Sequence, residues 1–459
     1  MEAVLDQVAA VRKGQAAGVL RDVAARRAQL ERLRAMLVDH EADFDAALAA
    51  DLGRAAILVR LTETGFVLND IKHTLKHLDK WVRPERVRLP LHLGPGKAQV
   101  IPEPLGTVLI IAPWNYPIQL TLAPLVAALA AGNTVVVKPS ELAPATSAAL
   151  ARFITEYLDP AVVQVVEGAV AETTALLAQP WDHILYTGNG TVGRIVMKAA
   201  ADHLTPVTLE LGGKSPTIVT DSADLAVAAR RTAFGKYINA CQTCIAPDYV
   251  LAAARVADRF VDLLVTEIGK MYGTDPQRSD DYGRIVNARH VARLQGLIEG
   301  GGYAAVATGG AVDAEQRYIA PTVLTGVTPD APVMADEIFG PILPVLTYSE
   351  GLTQAIEFVN ARPKPLALYV FGDTPTADRV LAETSSGGAA VNQVLMHVAV
   401  PELPFGGVGP SGMGAYHGKA GFDTFSHHKS VLRRTTRPDP AIAYPPYTAF
   451  KKKLLRKVM

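Results

Sequence analysis

The sequence predicts an α/β fold made of two strand–helix series, the first a Rossmann-like parallel sheet, with a small β flap attached. At 459 residues the chain exceeds the size at which one hydrophobic core keeps growing, so more than one domain is expected. From Thr107 onwards short β-branched runs alternate with helical stretches, which is typical of parallel strands joined by crossover helices. An extended segment with a glycine–proline turn precedes them and predicts a β-hairpin.

The amino-terminal part of the chain is predicted to be helical. Apolar residues between positions 20 and 48 recur at steps of three, four and seven, and Gly53 is the predicted helix stop. A second helical stretch runs to about Trp81. Alternating residues from Val87 to Val100 surround the turn Gly94-Pro95-Gly96, which indicates an extended hairpin.

Two series of strands follow this hairpin. The predicted strands of the first series are Thr107–Ala112, Thr134–Lys138, Val162–Glu167, His183–Thr187 and Val207–Leu211. The second series starts at about Asp248 and includes Ala320–Val323, Ile342–Tyr348, Ala367–Phe371 and Ala389–Asn392. The stretch from Pro104 to Val137 has no charged residue but contains several prolines, so two buried strands around a helix explain it better than a membrane span.

Composition excludes several classes of function. The chain has 45 basic and 45 acidic residues, which argues against a nucleic-acid binder because such proteins need a clustered positive surface. Two cysteines cannot form a disulfide framework and suit a reducing compartment. Acidic residues stand in the first six positions, where a signal peptide carries basic ones. We therefore expect a cytoplasmic protein.

A glycine pattern indicates a nucleotide-binding turn. Gly188, Gly190 and Gly193 follow the predicted strand His183–Thr187 and lead into a helical stretch, where free N–H groups can hold a pyrophosphate. A tight strand-to-helix turn without a ligand is the alternative. A second match between positions 407 and 412 follows no strand and opens no helix, so we reject it.

Two acids could hold the ribose of a bound dinucleotide. Glu210 lies about twenty residues after the glycines, where the Rossmann pattern places such an acid. This unit is not the first of its sheet, however, and Glu141 follows an earlier strand directly. Glu141 is the better candidate, which leaves Glu210 free for chemistry.

The only thiols are those of Cys241 and Cys244. A zinc site would need a second pair or a histidine cluster, and a thioredoxin-type redox pair belongs to a much smaller fold. Burial as structural residues is the most frequent fate of free cysteines. Spacing alone therefore leaves packing and nucleophilic chemistry open.

Five blocks of sequence, taken together, resemble the aldehyde dehydrogenase superfamily. They occur in order over nearly the whole chain, and they are Pro113-Trp114-Asn115-Tyr116-Pro117, Lys138-Pro139-Ser140-Glu141, Glu210-Leu211-Gly212-Gly213-Lys214-Ser215-Pro216, Gln242-Thr243-Cys244 and Glu337-Ile338-Phe339-Gly340-Pro341. Segments at 244–249, 362–369 and 404–427 are similar to the class 3 and fatty aldehyde branch.

The resemblance implies an NAD(P)-binding domain (1–84 and 101–209), a catalytic domain (210–395) and oligomerisation segments (85–100 and 396–440). A basic tail, 441–459, is too short to span a bilayer, so membrane contact is expected to be peripheral at most. The branch also implies a homodimer with an aldehyde substrate and NAD or NADP as cofactor.

The resemblance further implies oxidation of medium- or long-chain aliphatic or aromatic aldehydes to acids. Cys244 would be the nucleophile and form a thiohemiacetal and then a thioester, with Asn115 and the N–H of Cys244 as oxyanion donors. Glu210 would activate the water that hydrolyses the thioester.

Other residues would bind the cofactor, and no metal is expected. Glu337 would bind the nicotinamide ribose, Phe339 would lie near the ring, and Lys138 would contact the adenosine ribose. Glu141 should repel the 2′-phosphate of NADP, yet relatives of this branch use both cofactors, so the preference stays open. The complete set of predicted cofactor residues is Trp114, Lys138, Glu141, Gly188, Asn189, Val192, Gly193, Glu337 and Phe339.

Two other functions compete with this interpretation. In coenzyme A-acylating relatives the counterpart of Glu210 is generally missing, and a noncatalytic protein would not need Cys244, Glu210 and Asn115 together. Cys241 stands where the family usually has glycine. A reversible disulfide with Cys244 is one hypothesis, and a tolerated small residue is the other.

Overall fold

Most of the chain follows the predicted alternation of helices and strands in the computed structural model, which describes residues 2–90, 93, 95–439 and 441–458. The helices are α1 (Glu2–Ala17), α2 (Val23–Asp39), α3 (Glu41–Leu52), α4 (Ala56–Val59), α5 (Gly65–Trp81), α6 (Gln119–Ala131), α7 (Pro144–Tyr157), α8 (Val170–Leu177), α9 (Gly190–Ala201), α10 (Leu225–Tyr237), α11 (Ala257–Tyr272), α12 (Ala288–Glu299), α13 (Leu352–Asn360), α14 (Thr374–Glu383), α15 (Gly418–Thr424) and α16 (Ala449–Val458).

Strands of three to nine residues account for most of the remaining regular structure, together with some shorter pairs. They are β1 (Glu85–Val87), β2 (Gly96–Pro104), β3 (Thr107–Ile111), β4 (Thr134–Lys138), β5 (Val163–Val165), β6 (His183–Thr187), β7 (Val207–Glu210), β8 (Pro216–Val219), β9 (Tyr249–Ala253), β10 (Ala305–Thr308), β11 (Val312–Asp313), β12 (Tyr318–Ile319), β13 (Thr322–Thr325), β14 (Ile342–Tyr348), β15 (Ala367–Phe371), β16 (Gly388–Val391), β17 (Gly412–Met413) and β18 (Ser426–Arg434).

The amino-terminal region is helical, as predicted. Gly53 caps α3 with φ 60°, in the left-handed region that favours glycine, so its prediction as a helix stop is confirmed. A wider π-type turn, Arg60–Thr64, connects α4 to α5. Such turns occur often at functional sites, and this one carries a buried acid, Glu63, that the site uses.

The first predicted series forms a six-stranded sheet in the order β17-β7-β6-β3-β4-β5. Strands β3 to β7 are parallel, and β17 adds an antiparallel edge. Every residue of α6, between β3 and β4, is buried. The uncharged stretch is therefore two strands around an internal helix, as predicted. The α/β prediction with a parallel sheet is confirmed.

The second series forms a seven-stranded sheet in the order β10-β13-β14-β9-β8-β15-β16. Its core strands are parallel, and only β10 is antiparallel among the described pairings. The predicted start near Asp248 was wrong, because β8 already opens this sheet at Pro216. The four residues of β8 follow a Gly-Gly segment too closely for a crossover helix, which hid the change of sheet.

The predicted flap is a three-stranded antiparallel sheet, β1-β2-β18. The hairpin differs in its bounds, because β1 ends at Val87 and β2 continues to Pro104. Strand β18 pairs with β2 along its whole length and extends it beyond the predicted end. Gly94, in the predicted turn, lies outside the described residues.

Parallel strands bring their carboxyl ends to one edge of a sheet, where ligands gather in open α/β folds. At that edge of the six-stranded sheet, Ile111 pairs with Lys138 and Thr187 pairs with Glu210. A large buried apolar cluster joins residues of both sheets. Among the described helices, none has the length and apolar character needed to cross a membrane.

Candidate active site

A cavity of about 640 Å³ opens where the two sheets meet. Gly193 is the one predicted site residue outside its lining; a Cβ there would lie 2.9 Å from Leu211, so glycine lets α9 pack closely on the end of β7. The predicted residues that line the cavity are Trp114, Asn115, Lys138, Glu141, Gly188, Asn189, Val192, Glu210, Cys244, Glu337 and Phe339.

Cys244 lies in the loop before β9, and side-chain bonds hold this loop in place. Gln242 accepts from the N–H of Val286 at 2.9 Å. Thr243 Oγ1 lies 2.7 Å from the hydroxyl of Tyr116. Cys244 is half-buried and lines the cavity, so a rigid loop presents its thiol to any ligand there.

The turn before this loop is strained. Asn239, Ala240 and Cys241 have φ of 53°, 48° and 58°, a region that costs an L-residue about 1–2 kcal/mol. Strain of this kind persists where surrounding contacts enforce it, and it clusters at functional sites. Cys241 is buried and does not line the cavity. Among the described residues both thiols are free, and no group of side chains suited to a metal was found.

Asn115 approaches the Cys244 loop from the end of β3. Its Nδ2 donates to the carbonyl of Gln242 at 3.0 Å, and its own carbonyl accepts from Asn239 Nδ2 at 3.0 Å. The amide of Asn115 therefore lies beside the backbone that carries the thiol. An amide donor in this position can stabilise an oxyanion on a carbon bonded to the sulfur.

Two buried charged residues hold Asn115 in place. Arg54 donates to the carbonyl of Asn115 at 2.6 Å and forms an ion pair with Glu63. Glu63 also accepts the N–H groups of Ile118 (2.9 Å) and Gln119 (2.7 Å), just before and at the start of α6. Neither charged residue was predicted, because both lie in a region whose periodicity indicated only packing.

Glu210 ends β7, and its carbonyl accepts the N–H of Gly188 at 2.9 Å. Its side chain is buried, and neither carboxyl oxygen has a hydrogen-bond partner among the described residues. Burial disfavours the charged form and raises the pKa of Glu210 well above its ordinary value. In its ionised form such a carboxyl is a stronger base than usual toward water entering the cavity.

Burial also raises the pKa of the Cys244 thiol, and the carboxyls of Glu337 and Glu210 raise it further. The backbone N–H groups of Cys244 and Ile245 act in the opposite direction by bonding to the sulfur. The resting thiol is therefore protonated at neutral pH. Nucleophilic attack needs removal of the thiol proton as the reaction begins.

Glu337 faces the cavity beside Gly212. A Cβ at Gly212 would lie 2.0 Å from Oε2 of Glu337, so only glycine allows this approach. Burial and the nearby Asp248 raise the pKa of Glu337 to about 8. Phe339 has φ 48°, and its ring packs edge-on against Trp114 with 5.4 Å between centroids. One acid and two aromatic rings thus surround this end of the cavity.

Lys138 and Glu141 lie elsewhere along the cavity, at the end of β4. Burial opposes ionisation of Glu141, but the 2.8 Å hydrogen bond from Lys138 prevails and lowers the pKa of Glu141. Helix α9 also begins at the cavity, and Asn189 caps it by accepting the N–H of Val192 at 3.0 Å. A carboxylate suits ribose hydroxyls, and a helix amino terminus suits phosphates.

The chain matches known proteins over nearly its whole length. The aldehyde dehydrogenase family matches residues 2–431. The chain is 47% identical to the 4,4'-diaponeurosporen-aldehyde dehydrogenase of Staphylococcus aureus, over 93% of each protein. It is 46% identical to the dimeric NADP-preferring aldehyde dehydrogenase of Rattus norvegicus, over 98% of this chain and 99% of that protein.

Solved structures give the same result. The substrate-bound state of Staphylococcus aureus AldH superposes with a TM-score of 0.96 at 44% identity, over 99% of each chain. The chain belongs to the aldehyde dehydrogenase family. It is an NAD(P)-dependent oxidoreductase that acts on aldehydes. Further relatives are named family 3 members, so the class 3 resemblance is confirmed.

The cavity of this aldehyde dehydrogenase fits a dinucleotide. Its volume lies within the range of about 300–1,000 Å³ that is usual for ligand sites. Apolar side chains line it just before α7, at both ends of α8 and in α9, where a flat base could lie: Leu142, Val170, Leu177 and Ile195. Together with the acids and the helix amino terminus, these walls supply a surface for each part of NAD(P).

Three basic residues of α12 line the dehydrogenase cavity, and the sequence interpretation missed them: Arg289, His290 and Arg293. His290 packs against Trp114 with 5.5 Å between ring centroids, and burial, aided by the two arginines, lowers its pKa to about 4. Arg289 lies in the first turn of α12, where its positive charge opposes the helix dipole. A positive charge at this unfavourable position indicates an anionic ligand, and the sequence already contained this indication.

Proposed function

We propose that this aldehyde dehydrogenase works through a covalent intermediate on Cys244. The supporting observation is that the Cys244 thiol, the Asn115 amide and the Glu210 carboxyl line one cavity. The sulfur bonds to the aldehyde carbon as the thiol gives its proton to water in the cavity, and charge develops on the aldehyde oxygen. Nδ2 of Asn115 and the N–H of Cys244 stabilise that charge, each by roughly 3–4 kcal/mol.

When bound, NAD(P)⁺ would supply the hydride acceptor that the change from thiohemiacetal to thioester requires. Within the chain, Lys138 and Glu141 hold the adenosine ribose, and the start of α9 holds the phosphates. Glu337 holds the nicotinamide ribose, with Phe339 and Trp114 beside the ring.

Glu210 activates the water that releases the acid. The proton passes from water to the carboxylate, the oxygen bonds to the thioester carbon, and the carbon–sulfur bond breaks to return Cys244 as a thiolate. Transfer to coenzyme A would need no activated water. A buried carboxyl without a partner among the described residues, in the same cavity as the thiol, therefore favours hydrolysis.

We propose apolar substrates, namely medium- or long-chain aliphatic or aromatic aldehydes. Large apolar side chains lie exposed just before α5 and in the segment 396–403. His73 of α5 lies 3.8 Å from Glu402, which places this segment beside the same helix. We propose that the two sets of side chains form one surface, since a contiguous exposed apolar patch is typical of a binding site. Its members are Ile57, Leu61, Met396, Val400 and Leu403.

The test is NAD(P)⁺ reduction with aliphatic aldehydes of increasing length and with an aromatic aldehyde, with and without coenzyme A. Cys244→Ala should abolish turnover, whereas Cys241→Ala, at the other thiol of the same turn, should retain it. Glu210→Gln should give one burst of NAD(P)H per site and then a steady rate lower by about 10²–10⁴. Turnover by Cys244→Ala, or a requirement for coenzyme A, would contradict the proposal.

We also propose a homodimer formed through the flap. Strand β18 is exposed over most of its length, and β1 is exposed throughout. Exposed strands at a sheet edge are ready to pair with another chain. The rat relative is named dimeric. Leu432→Glu in β18 should lower the mass in light scattering, whereas Leu204→Glu, at another exposed leucine, should not.

The remaining proposal concerns the tail. Helix α16 exposes Lys452, Lys453 and Arg456, and we propose that the enzyme works in the cytoplasm with at most peripheral membrane contact. Co-sedimentation with anionic vesicles, compared with a chain ending at Phe450, tests this. Salt-resistant sedimentation of the full chain alone would contradict it.

A further inference from the structure

The segment 332–341, termed the Glu337 loop below, holds an unfavourable conformation. Phe339 has φ 48°, which an aromatic residue rarely adopts. Its neighbour Ile338 is fully buried, while Glu337 and Phe339 line the cavity. A strained residue persists only where its surroundings determine the backbone. Contacts from neighbouring elements therefore fix the backbone of this loop.

Two charged side chains bond to the backbone of Ile338. Its N–H donates to Oδ1 of Asp248 at 2.9 Å, and its carbonyl accepts from Arg293 at 2.7 Å. Ile338, which lies between Glu337 and Phe339, is thus held through both its N–H and its carbonyl. Rotation of either peptide unit flanking Ile338, which would move Glu337 or Phe339, would break a charge-assisted hydrogen bond.

Lys214 completes this arrangement. Its ammonium donates to Oδ2 of Asp248 at 2.5 Å and to the carbonyls of Val333 and Asp336 at 2.9 Å each. An ammonium has three donors, so all of them are used within the Glu337 loop and its anchor. The Lys214 and Asp248 side chains are 11% and 4% exposed, so water competes little for these bonds.

Lys214 also connects the loop to the catalytic strand. It follows Glu210 by four residues, and the intervening glycines contact Glu337: the N–H of Gly213 bonds to its carboxyl, and Gly212 lies against it. A single lysine thus joins the segment after the proposed base to the loop of the proposed ribose-binding acid.

We propose that the Lys214–Asp248 ion pair is a positioning device that sets Glu337 and Phe339 for the nicotinamide end of the cofactor. The proposal rests on the cofactor roles assigned above. The pair acts through the loop and touches neither substrate nor cofactor. Buried ion pairs contribute little net stability when well-packed apolar residues can replace them, so a role in positioning explains this pair better than a role in stability.

The decisive variant replaces both partners, Lys214→Met with Asp248→Leu, because it removes the ion pair without leaving a buried charge. In cofactor-free protein, amide hydrogen exchange in the Glu337 loop should become at least about tenfold faster, since charge-assisted bonds to the loop are lost. The dissociation constant for NAD(P)⁺, measured by quenching of Trp114 fluorescence in a background without the other two tryptophans, should rise about tenfold.

Two comparisons make this experiment specific. Lys214→Arg keeps the charge and several donors and should restore most of the protection and affinity. The matched control removes an exposed ion pair, Arg34→Met with Glu31→Leu, and should change neither quantity. The melting temperature of the decisive variant should stay close to that of the wild type.

Each other outcome has a definite meaning. Unchanged exchange and affinity would overturn the proposal. Faster exchange throughout the chain, with a large fall in melting temperature, would also overturn it, because the pair would then hold the fold rather than the loop. Faster exchange confined to the loop, with unchanged cofactor affinity, would support the clamp but contradict the cofactor roles of Glu337 and Phe339.

Discussion

Two buried ion pairs support the active site, and they differ in how completely the protein encloses them. Arg54 and Glu63 are 1% and 0% exposed and bond to the backbone of Asn115 and of Ile118, on the substrate side of the cavity. Lys214 and Asp248 are 11% and 4% exposed and bond to the Glu337 loop, on the cofactor side. Both pairs serve the backbone of a loop rather than the reacting atoms.

This difference in exposure indicates which half of the site is the more rigid. Breaking a fully enclosed pair leaves a charge in the core, whereas water can partly reach the other pair. A cofactor must enter and leave in every turnover, and loops that admit ligands are drawn from the less stable parts of a structure. We infer that the oxyanion side is rigid before any ligand binds and that the cofactor side is the adjustable half.

Breaking the enclosed pair should have the largest effect. Arg54→Met leaves Glu63 buried without its partner and should lower the free energy of unfolding by about 3–5 kcal/mol. Urea unfolding measures this directly. Arg60→Met removes an exposed arginine paired with Glu41 and should change stability by about 0–1 kcal/mol. Equal losses of unfolding free energy in the two variants would contradict the special importance of the enclosed ion pair.

The second prediction separates the side chain of Asn115 from its backbone. Asn115→Ala removes the amide donor but keeps the carbonyl that Arg54 binds. The kcat should therefore fall by about 10²–10³ while the free energy of unfolding changes little. Steady-state kinetics and urea unfolding test the two parts. A loss of stability as large as that of Arg54→Met would show that the amide is structural.

The third prediction concerns pH and the cofactor-side loop. Burial and Asp248 raise the pKa of Glu337 from 4.5 to about 8, against the opposing effects of Lys214 and Arg293. A carboxyl whose pKa is higher in the folded than in the unfolded protein stabilises the fold most at pH values below its unfolded-state pKa. This stabilisation is lost as the pH rises through the folded-state pKa. The wild type should thus lose stability relative to Glu337→Gln between about pH 4.5 and 8, by an amount on the order of a few kcal/mol.

Urea unfolding of both proteins across this pH range is the measurement for Glu337. The difference between them should grow with pH and level off above about pH 8, since the glutamine does not titrate. Parallel pH profiles would show that Glu337 is ionised throughout and that its surroundings are more polar than its burial indicates.

The smallest effect is expected at Cys241. Its φ of 58° favours glycine, so Cys241→Gly relieves strain and offsets the loss of a buried thiol, leaving stability within about 1 kcal/mol of the wild type. Because Cys241 is buried away from the cavity lining, we expect mild oxidant to inactivate both proteins equally. Slower inactivation of the variant, reversed by reductant in the wild type only, would favour the disulfide with Cys244.

The sequence predicted the strands well where their edges are sharp. Thr134–Lys138, His183–Thr187, Ile342–Tyr348 and Ala367–Phe371 occur with the predicted bounds, because each is a short apolar run between turn or helix signals. Strand β8 was missed, since four residues between a glycine pair and a helix carry too little periodicity. Strand β2 runs past its predicted end because β18, remote in sequence, pairs with it.

By itself the sequence determined the α/β alternation, and all but one of the residues that it predicted for the site line the cavity. Strand periodicity is local, and the motifs around Asn115, Glu210 and Cys244 have fixed neighbours in the chain. Only the tertiary structure decided which charges support them. Arg54 and Glu63 are 9 residues apart in the chain, and Arg54 bonds to a carbonyl 61 residues away. Lys214 and Asp248 are 34 residues apart, and Lys214 bonds to a carbonyl 122 residues away. Packing creates such contacts, and no local pattern records them.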